Sequence, residues 1–231
     1  MRTRLVAPRD LDERETQQMF QLMLAHYDQV AEAVFRRDLM EKTWVIVLET
    51  DRIVGFSTQK ILAFGEDRAV FSGDTIIARE HWGSQHLSQA FARHFFDIED
   101  RPLYWFLISK GFKTYKYLPT FFKDFYPRYD RPTPNKWKQL IDQLGEMLYP
   151  NEYDPMTGVI RYLSTKDRLK DELQDLSIRA NDPHYDFFIN ANPGYRRGDD
   201  LACLTLLDRD NLKPGRERLL FGSQKEQEQN L

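Results

Sequence analysis

Hydrophobic and polar positions alternate along this chain with two periods, and the places where the period changes divide it into elements. The opening "RLVAP" predicts a short strand. The following segment spaces Met19, Phe20, Met23 and Leu24, then Val30, Ala33, Val34 and Leu39, as on two successive helices. "TWVIVLETDRIVGFSTQKILAF" holds two apolar runs separated by "ETDR", the pattern of a β-hairpin, and "RAVFSGDTIIA" adds a third strand after the turn "GEDR". From Ser84 the spacing of Leu87, Phe91 and Phe95 is helical, and "PLYWFLI" returns to a buried strand. In the aromatic stretch "KTYKYLPTFFKDFYP", Pro119 restricts any helix to one that is short or that starts at the proline.

The second half continues with "TPNKWKQLIDQLGEMLYP", which places Trp137, Leu140, Ile141, Leu144 and Leu148 on one face between Pro134 and Pro150. That is the signature of an amphipathic helix. "GVIRYL" and "DDLACLTLLD" read as strands, and "TKDRLKDELQDL" reads as a charged helix with Ser164 or Thr165 as its cap. The tail from residue 222 to 231, "GSQKEQEQNL", has little to bury and is expected to be mobile. With no repeat and no low-complexity linker, the expectation is one α+β domain over residues 1–221. Its core spans 2–126 and its C-terminal elaboration 127–221.

Composition narrows the function classes. The 231 residues are 41% hydrophobic and 30% charged, which suits a folded globular chain. A net charge of -3 gives no global attraction to nucleic acid or to an anionic membrane. One cysteine, Cys203, excludes an internal disulfide framework and a multi-cysteine zinc site. No apolar run has the length of a signal peptide or a membrane span, so the expected location is the cytoplasm.

The order strand, two helices, hairpin, third strand, glycine-containing turn, helix, strand resembles the GNAT superfamily of N-acyltransferases over roughly residues 2–126. The pieces that carry the likeness are "VLETDRIVGFS" and "DTIIAREHWGSQHLSQAF". The resemblance implies a mainly antiparallel central sheet flanked by helices. It also implies a coenzyme A thioester, or an acyl group on a phosphopantetheine arm, as acyl donor, and a small amine or amino acid as acceptor. In the family, main-chain amides at the turn bind the cofactor pyrophosphate, because a helix start offers unpaired N–H groups and the positive end of a dipole. The positions this assigns to the cofactor are Ile76 and Ile77 on the strand, Gly83, Ser84, Gln85 and His86 at the turn, and Ser109 after the next strand. The sequence departs from the family pattern: Trp82 and Gly83 fall at its entry, and Gln85 and Leu87 stand where later glycines would be. Amide donors survive these changes, since every residue but proline carries one. The close approach that glycine permits does not. A plain helix start with Ser84 as its cap is the alternative.

Acyl transfer needs a base for the amine, donors for the thioester carbonyl and an acid for the thiolate. Asp74, set in the apolar strand "FSGDTIIA", is the first candidate base and Glu80 the second. The alternative for Asp74 is a simple bond to a neighbouring main-chain amide. The resemblance implies a tyrosine as the acid, and Tyr115 or Tyr117 lies in the corresponding region. Between Lys110 and Lys138, eight basic residues face only Asp124 and Asp130, an excess that could steer an acidic acyl carrier protein or cofactor phosphates. Interleaved aromatics there admit a single-stranded nucleic acid partner, which the low pI and the lack of a known RNA-binding motif argue against. His81, His86 and His94 do not make a metal set. Two readings stay open: an acyltransferase, and a non-catalytic binding or assembly protein that keeps the scaffold and has lost its cofactor.

Overall fold

The computed structural model describes residues 1–96, 103–162, 168–170, 173 and 181–222. In chain order the elements are β1 (Arg2–Val6), α1 (Glu13–His26), β2 (Tyr27–Asp28), α2 (Glu32–Met40), β3 (Trp44–Glu49), β4 (Ile53–Phe64), β5 (Asp67–Ile77), α3 (His86–Phe95), β6 (Leu103–Ser109), α4 (Phe112–Phe121), β7 (Phe125–Tyr126), α5 (Asn135–Leu148), β8 (Tyr153–Asp154), β9 (Val159–Ile160), β10 (Arg168–Leu169), α6 (Pro183–Ala191), β11 (Asp200–Leu207) and α7 (Glu217–Phe221). They group into two compact units. The first holds residues 1–23, 32–104 and the C-terminal segment from 206, and the second holds 24–31 and 105–205.

In the first unit β1, β3, β4 and β5 lie side by side, each antiparallel to the next. Val45, Ile46, Val47 and Leu48 of β3 are all buried, as a strand covered on both faces requires. Phe35 of α2 packs between Phe20 of α1 and Phe56 of β4, with ring centroids 5.6 and 6.4 Å away. α1 begins with a reciprocal capping box: the Glu15 amide donates to Asp12 Oδ1 and the Asp12 amide to Glu15 Oε2. Leu87, Ala90, Phe91 and Phe95 of α3 are buried, and α3 packs on β1, β3, β4 and α7. α7 is anchored by Phe221, which meets Phe96 edge-on at 5.4 Å and lies under the Arg209 guanidinium at 3.9 Å.

In the second unit β6, β11, β9 and β8 run in that order, and β7 pairs with β11. The core is aromatic. Tyr115 of α4 stacks among Phe125, Phe187 and Phe188, and Trp105 of β6 meets Tyr117 and Phe122. Pro119 sits near the end of the ten-residue α4, where its missing donor removes one late bond. The amphipathic pattern of α5 is realised, with Leu140, Ile141 and Leu144 buried. The charged helix expected over "TKDRLKDELQDL" and its caps Ser164 and Thr165 fall mostly outside the described residues. Arg168 and Leu169 within it form β10, paired with Asp28 and Tyr27. The strand edge at β2 supplies backbone partners that local propensity does not foresee. The tail from 223 lies outside the described residues.

Gly145 on α5 faces the Tyr153 ring, and a Cβ there would stand 2.7 Å from Cδ2. Gly145→Ala is therefore expected to destabilise the fold by about 1–3 kcal/mol, as overpacking does. Urea denaturation followed by tryptophan fluorescence checks this, and an unchanged midpoint would refute the packing.

Candidate functional site

The chemistry in the first unit begins with a polar interruption of two apolar strands. β4 reads "IVGFSTQKILAF", with Ser57, Thr58 and Gln59 in its middle, all buried. β5 answers with Ser72, Gly73, Asp74 and Thr75. Ser57 pairs with Thr75 and Gln59 with Ser72, so Thr58 stands opposite both Gly73 and Asp74. This is a β-bulge, the device that re-aims a side chain and locally ends regular pairing. Ser57 Oγ and Thr75 Oγ1 are 2.7 Å apart, and Gln59 Nε2 donates to Ser57 Oγ at 3.0 Å. Thr58 Oγ1 and Gln59 Oε1 are buried with no hydrogen-bond partner among the described residues. Asp74, half-buried, is thus held at a distortion in mid-sheet and not in a regular ladder. The sequence singles out Asp74 as a charge in an apolar strand, while Ser57, Thr58 and Gln59 went unremarked, although three consecutive polar residues in a Val- and Ile-rich strand were a usable signal.

β5 ends in a single 3-10 turn, Arg79–His81, before α3. Glu80 is exposed there and pairs with Arg52 at 3.3 Å, a solvent-screened contact. Gly83 adopts φ +87°, the left-handed region in which only glycine is unstrained, and reverses the chain into the helix. The Ser84 amide donates to His81 O at 3.2 Å, and the Gln89 amide to Gln85 O at 2.8 Å. The amides of Gly83, Gln85, Leu87 and Ser88 have no acceptor among the described residues. The Leu87 side chain is buried beside Ala90 and Phe91 on the core side of α3. Trp82 folds back so that its indole N–H donates to Ile77 O at 2.8 Å, and Arg79 stacks on the ring at 5.6 Å. The Ile77 carbonyl is therefore engaged by the protein, while Ile76 is a buried core residue.

The N-cap of α3 is Gln85, with no side-chain cap bond, and not the expected Ser84, which stands one residue earlier. Ser84 Oγ accepts the His86 amide at 3.3 Å and lies 2.7 Å from His86 Nδ1. The hydroxyl can donate to Nδ1 or accept from it, so the contact ties the imidazole to the turn in either tautomer. Burial holds the His86 pKa below the usual histidine value, and the N-terminal ammonium and Arg93 act in the same direction.

The second unit holds the remaining predicted residues. Ser109 is fully buried, its Oγ 3.8 Å from Cys203 Sγ. Tyr115 is fully buried, its hydroxyl donates to Pro127 O at 3.1 Å, and burial raises its pKa well above the usual phenol value. These are the surroundings of a core tyrosine. Four of the eight basic residues of the stretch pair with a carboxylate in the fold. Lys116 pairs with Asp182 at 2.5 Å, Arg128 with Asp130, Arg131 with Asp124 at 3.3 Å and Lys138 with Asp142 at 2.6 Å. Asp142 and Asp182 come from outside the stretch, so counting charges along the chain overstated the field. Most of its aromatics are core: Tyr115, Phe121, Phe122, Phe125 and Tyr126 are buried, Tyr117 is partly buried and Tyr129 is half-exposed. Asp74, Glu80 and the turn before α3 thus share one unit, and Ser109 and Tyr115 the other. Among the described residues, no group of three or more His, Cys, Asp or Glu could hold a metal ion, and no helix is long and apolar enough to cross a membrane.

Two predictions come from these environments. Burial pushes the Cys203 thiol up to about 12. Ellman's reagent at pH 8 should therefore leave it unlabelled in the native protein and modify it fully in denaturant. Rapid native labelling would contradict its burial. For His86, the folded-state pKa lies below the unfolded one, so its contribution to stability is complete above about 6.5 and is lost as pH falls through the folded value. A two-dimensional NMR titration should place its midpoint below that of a model histidine. A midpoint at or above the model value would refute the assignment.

No protein-family model matches the sequence, and no curated protein does. Solved structures share part of its backbone arrangement. An aminoglycoside acetyltransferase from an uncultured soil metagenomic sample, in complex with sisomicin, is 17% identical over 50% of this chain and 82% of its own, with a TM-score of 0.38. ElaA of Escherichia coli is 16% identical over 55% and 92%, with a TM-score of 0.37. N-acetylglutamate synthase from Neisseria gonorrhoeae, complexed with coenzyme A and N-acetyl-glutamate, is 10% identical over 62% and 33%, with a TM-score of 0.38. At such values the likeness settles nothing about chemistry, and the fold class rests on the chain's own elements. Strand, two helices, an antiparallel three-strand meander, turn, helix and strand follow one another in the order that the N-acyltransferase resemblance implies, and the chain is an α+β protein with a mainly antiparallel sheet.

Proposed function

We propose that this protein transfers an acyl group from a coenzyme A thioester to the amine of a small acceptor. The observation that carries the reading is the row of unpaired amides at Gly83, Gln85, Leu87 and Ser88, on a turn whose neighbouring bulky side chains are folded away from them. Donors at a helix front with no internal acceptor suit the phosphate groups of such a cofactor. Asp74, on the strand that leads into this turn, supplies the base. The amine nitrogen forms a bond to the thioester carbonyl carbon, the carbon–sulfur bond breaks, and the amine proton passes to the Asp74 carboxylate. The thiolate leaves as an anion and takes a proton from water, which ordinary thiol acidity allows. No tyrosine is then required, in keeping with the commitment of the Tyr115 hydroxyl to Pro127. Coenzyme A is favoured over an acyl carrier protein as donor because half of the basic residues that would steer an acidic carrier are already paired with carboxylates.

The second reading, a binding protein without chemistry, has its own support. Trp82 occupies the Ile77 carbonyl, a main-chain acceptor that an extended pantetheine arm would use on that strand. Transfer assays separate the two readings. With acetyl-CoA and a panel of primary amines, polyamines and amino acids, the wild type should release thiol and form amide with at least one acceptor. Asp74→Asn should lower kcat by about 10²–10⁴-fold, the usual worth of a general base, without loss of fold by circular dichroism. Absence of amide product across the panel would favour the binding protein, and an undiminished Asp74→Asn would remove Asp74 as the base.

A further inference from the structure

The bulge at Asp74 has a support that is distant in sequence. Lys42 follows α2, and its side chain is 5% exposed, unusual for a lysine. Its ammonium pairs with Asp38 Oδ1 at 2.6 Å and lies 5.7 Å from the centroid of the Phe71 ring. Its Cε is 3.1 Å, and its Nζ 3.5 Å, from the point where a Cβ on Gly73 would stand. Thr58 Oγ1 is 2.6 Å from the same point. The lysine stem and the threonine hydroxyl thus close on Gly73, leaving no room for a side chain there.

This arrangement is costly. A buried ammonium loses hydration, and its one carboxylate partner, Asp38, is itself 47% exposed. Thr58 keeps a buried hydroxyl without a partner among the described residues, and an unsatisfied polar group inside a fold is destabilising. An apolar residue at position 42 could fill the same volume without a charge to desolvate. What lysine adds is a tether: the Asp38 ion pair fixes the end of the chain, so that the methylenes press on one point of β5. A bulge is otherwise free to shift by a residue, and a shift by one would turn Asp74 to the other face of the sheet.

We propose that Lys42 is the positioning residue of the bulge: tethered to Asp38, it clamps Gly73 against Thr58 and so fixes the direction in which Asp74 leaves the strand. The acyl-transfer reading enters only in what Asp74 then does. Lys42 is assigned no step of that chemistry.

The test compares wild type, Lys42→Met and Lys42→Arg by NMR relaxation dispersion on the amides of Gly73, Asp74 and Thr75, which detects exchange on the microsecond to millisecond scale. The wild type should show no dispersion at these amides. Lys42→Met, which keeps the stem and removes the tether, should show it there, while Val45–Leu48 on β3 stay quiet. Lys42→Arg, which can still pair with Asp38, should suppress it again. Dispersion in the wild type, or none in Lys42→Met, would overturn the proposal, as would exchange spread evenly over β3, β4 and β5. Should Lys42→Met fail to fold, Asp38→Asn releases the tether with the lysine retained and is read by the same criteria. These outcomes are independent of the transfer assay, whose failure would remove the role of Asp74 and leave the clamp in place.

Discussion

One irregularity organises the chemistry of the first unit: a single residue of β4, Thr58, faces two residues of β5, Gly73 and Asp74. In a regular antiparallel ladder with β4 buried on both faces, a carboxylate at position 74 would have to alternate with its apolar neighbours. The bulge breaks that alternation locally and leaves the flanking pairs, Ser57 with Thr75 and Gln59 with Ser72, in register. It survives because Gly73 has no side chain to collide with Thr58 and Lys42. Unsatisfied oxygens on Thr58 and Gln59 are the local cost, offset by the apolar packing around Phe56, Phe35 and Phe20.

The second constraint is the turn that leads into α3. A phosphate-binding helix front is usually described by its glycines, yet the donors belong to the main chain and not to the side chains. This turn keeps one glycine, Gly83, at the one place where a left-handed dihedral reverses the chain. Of the bulkier residues, Leu87 lies in the core, and Trp82 is exposed with its indole N–H tied to the Ile77 carbonyl. What remains at the front are unpaired amides and an imidazole held by Ser84.

Much of the fold was legible because its signals are local. The period-two runs of β3, β4 and β5 and the period-3.6 face of α5 were read from spacing alone, and Asp74 stood out as a charge in an apolar strand. What escaped depends on partners distant in sequence. Lys42 looks like an ordinary surface lysine until the fold brings it under Gly73, thirty-one positions on. The basic stretch carries a smaller excess in the fold than in the string, because Asp142 and Asp182 stand beside Lys138 and Lys116. Tyr115 looked like a possible acid until its hydroxyl proved to be spent on Pro127. The polar triplet Ser57–Gln59 is a different case, since it was visible in the string and passed over because the flanking residues read so clearly as a strand.

The claim that the helix front receives a phosphorylated thioester is tested most directly by calorimetric titration of the purified protein with acetyl-CoA, beside pantetheine, which carries no phosphate. The account predicts saturable one-site heat for acetyl-CoA and much weaker binding of pantetheine, because the unpaired amides of α3 recognise phosphate. Equal binding of both, or no heat from acetyl-CoA at any attainable concentration, would contradict it.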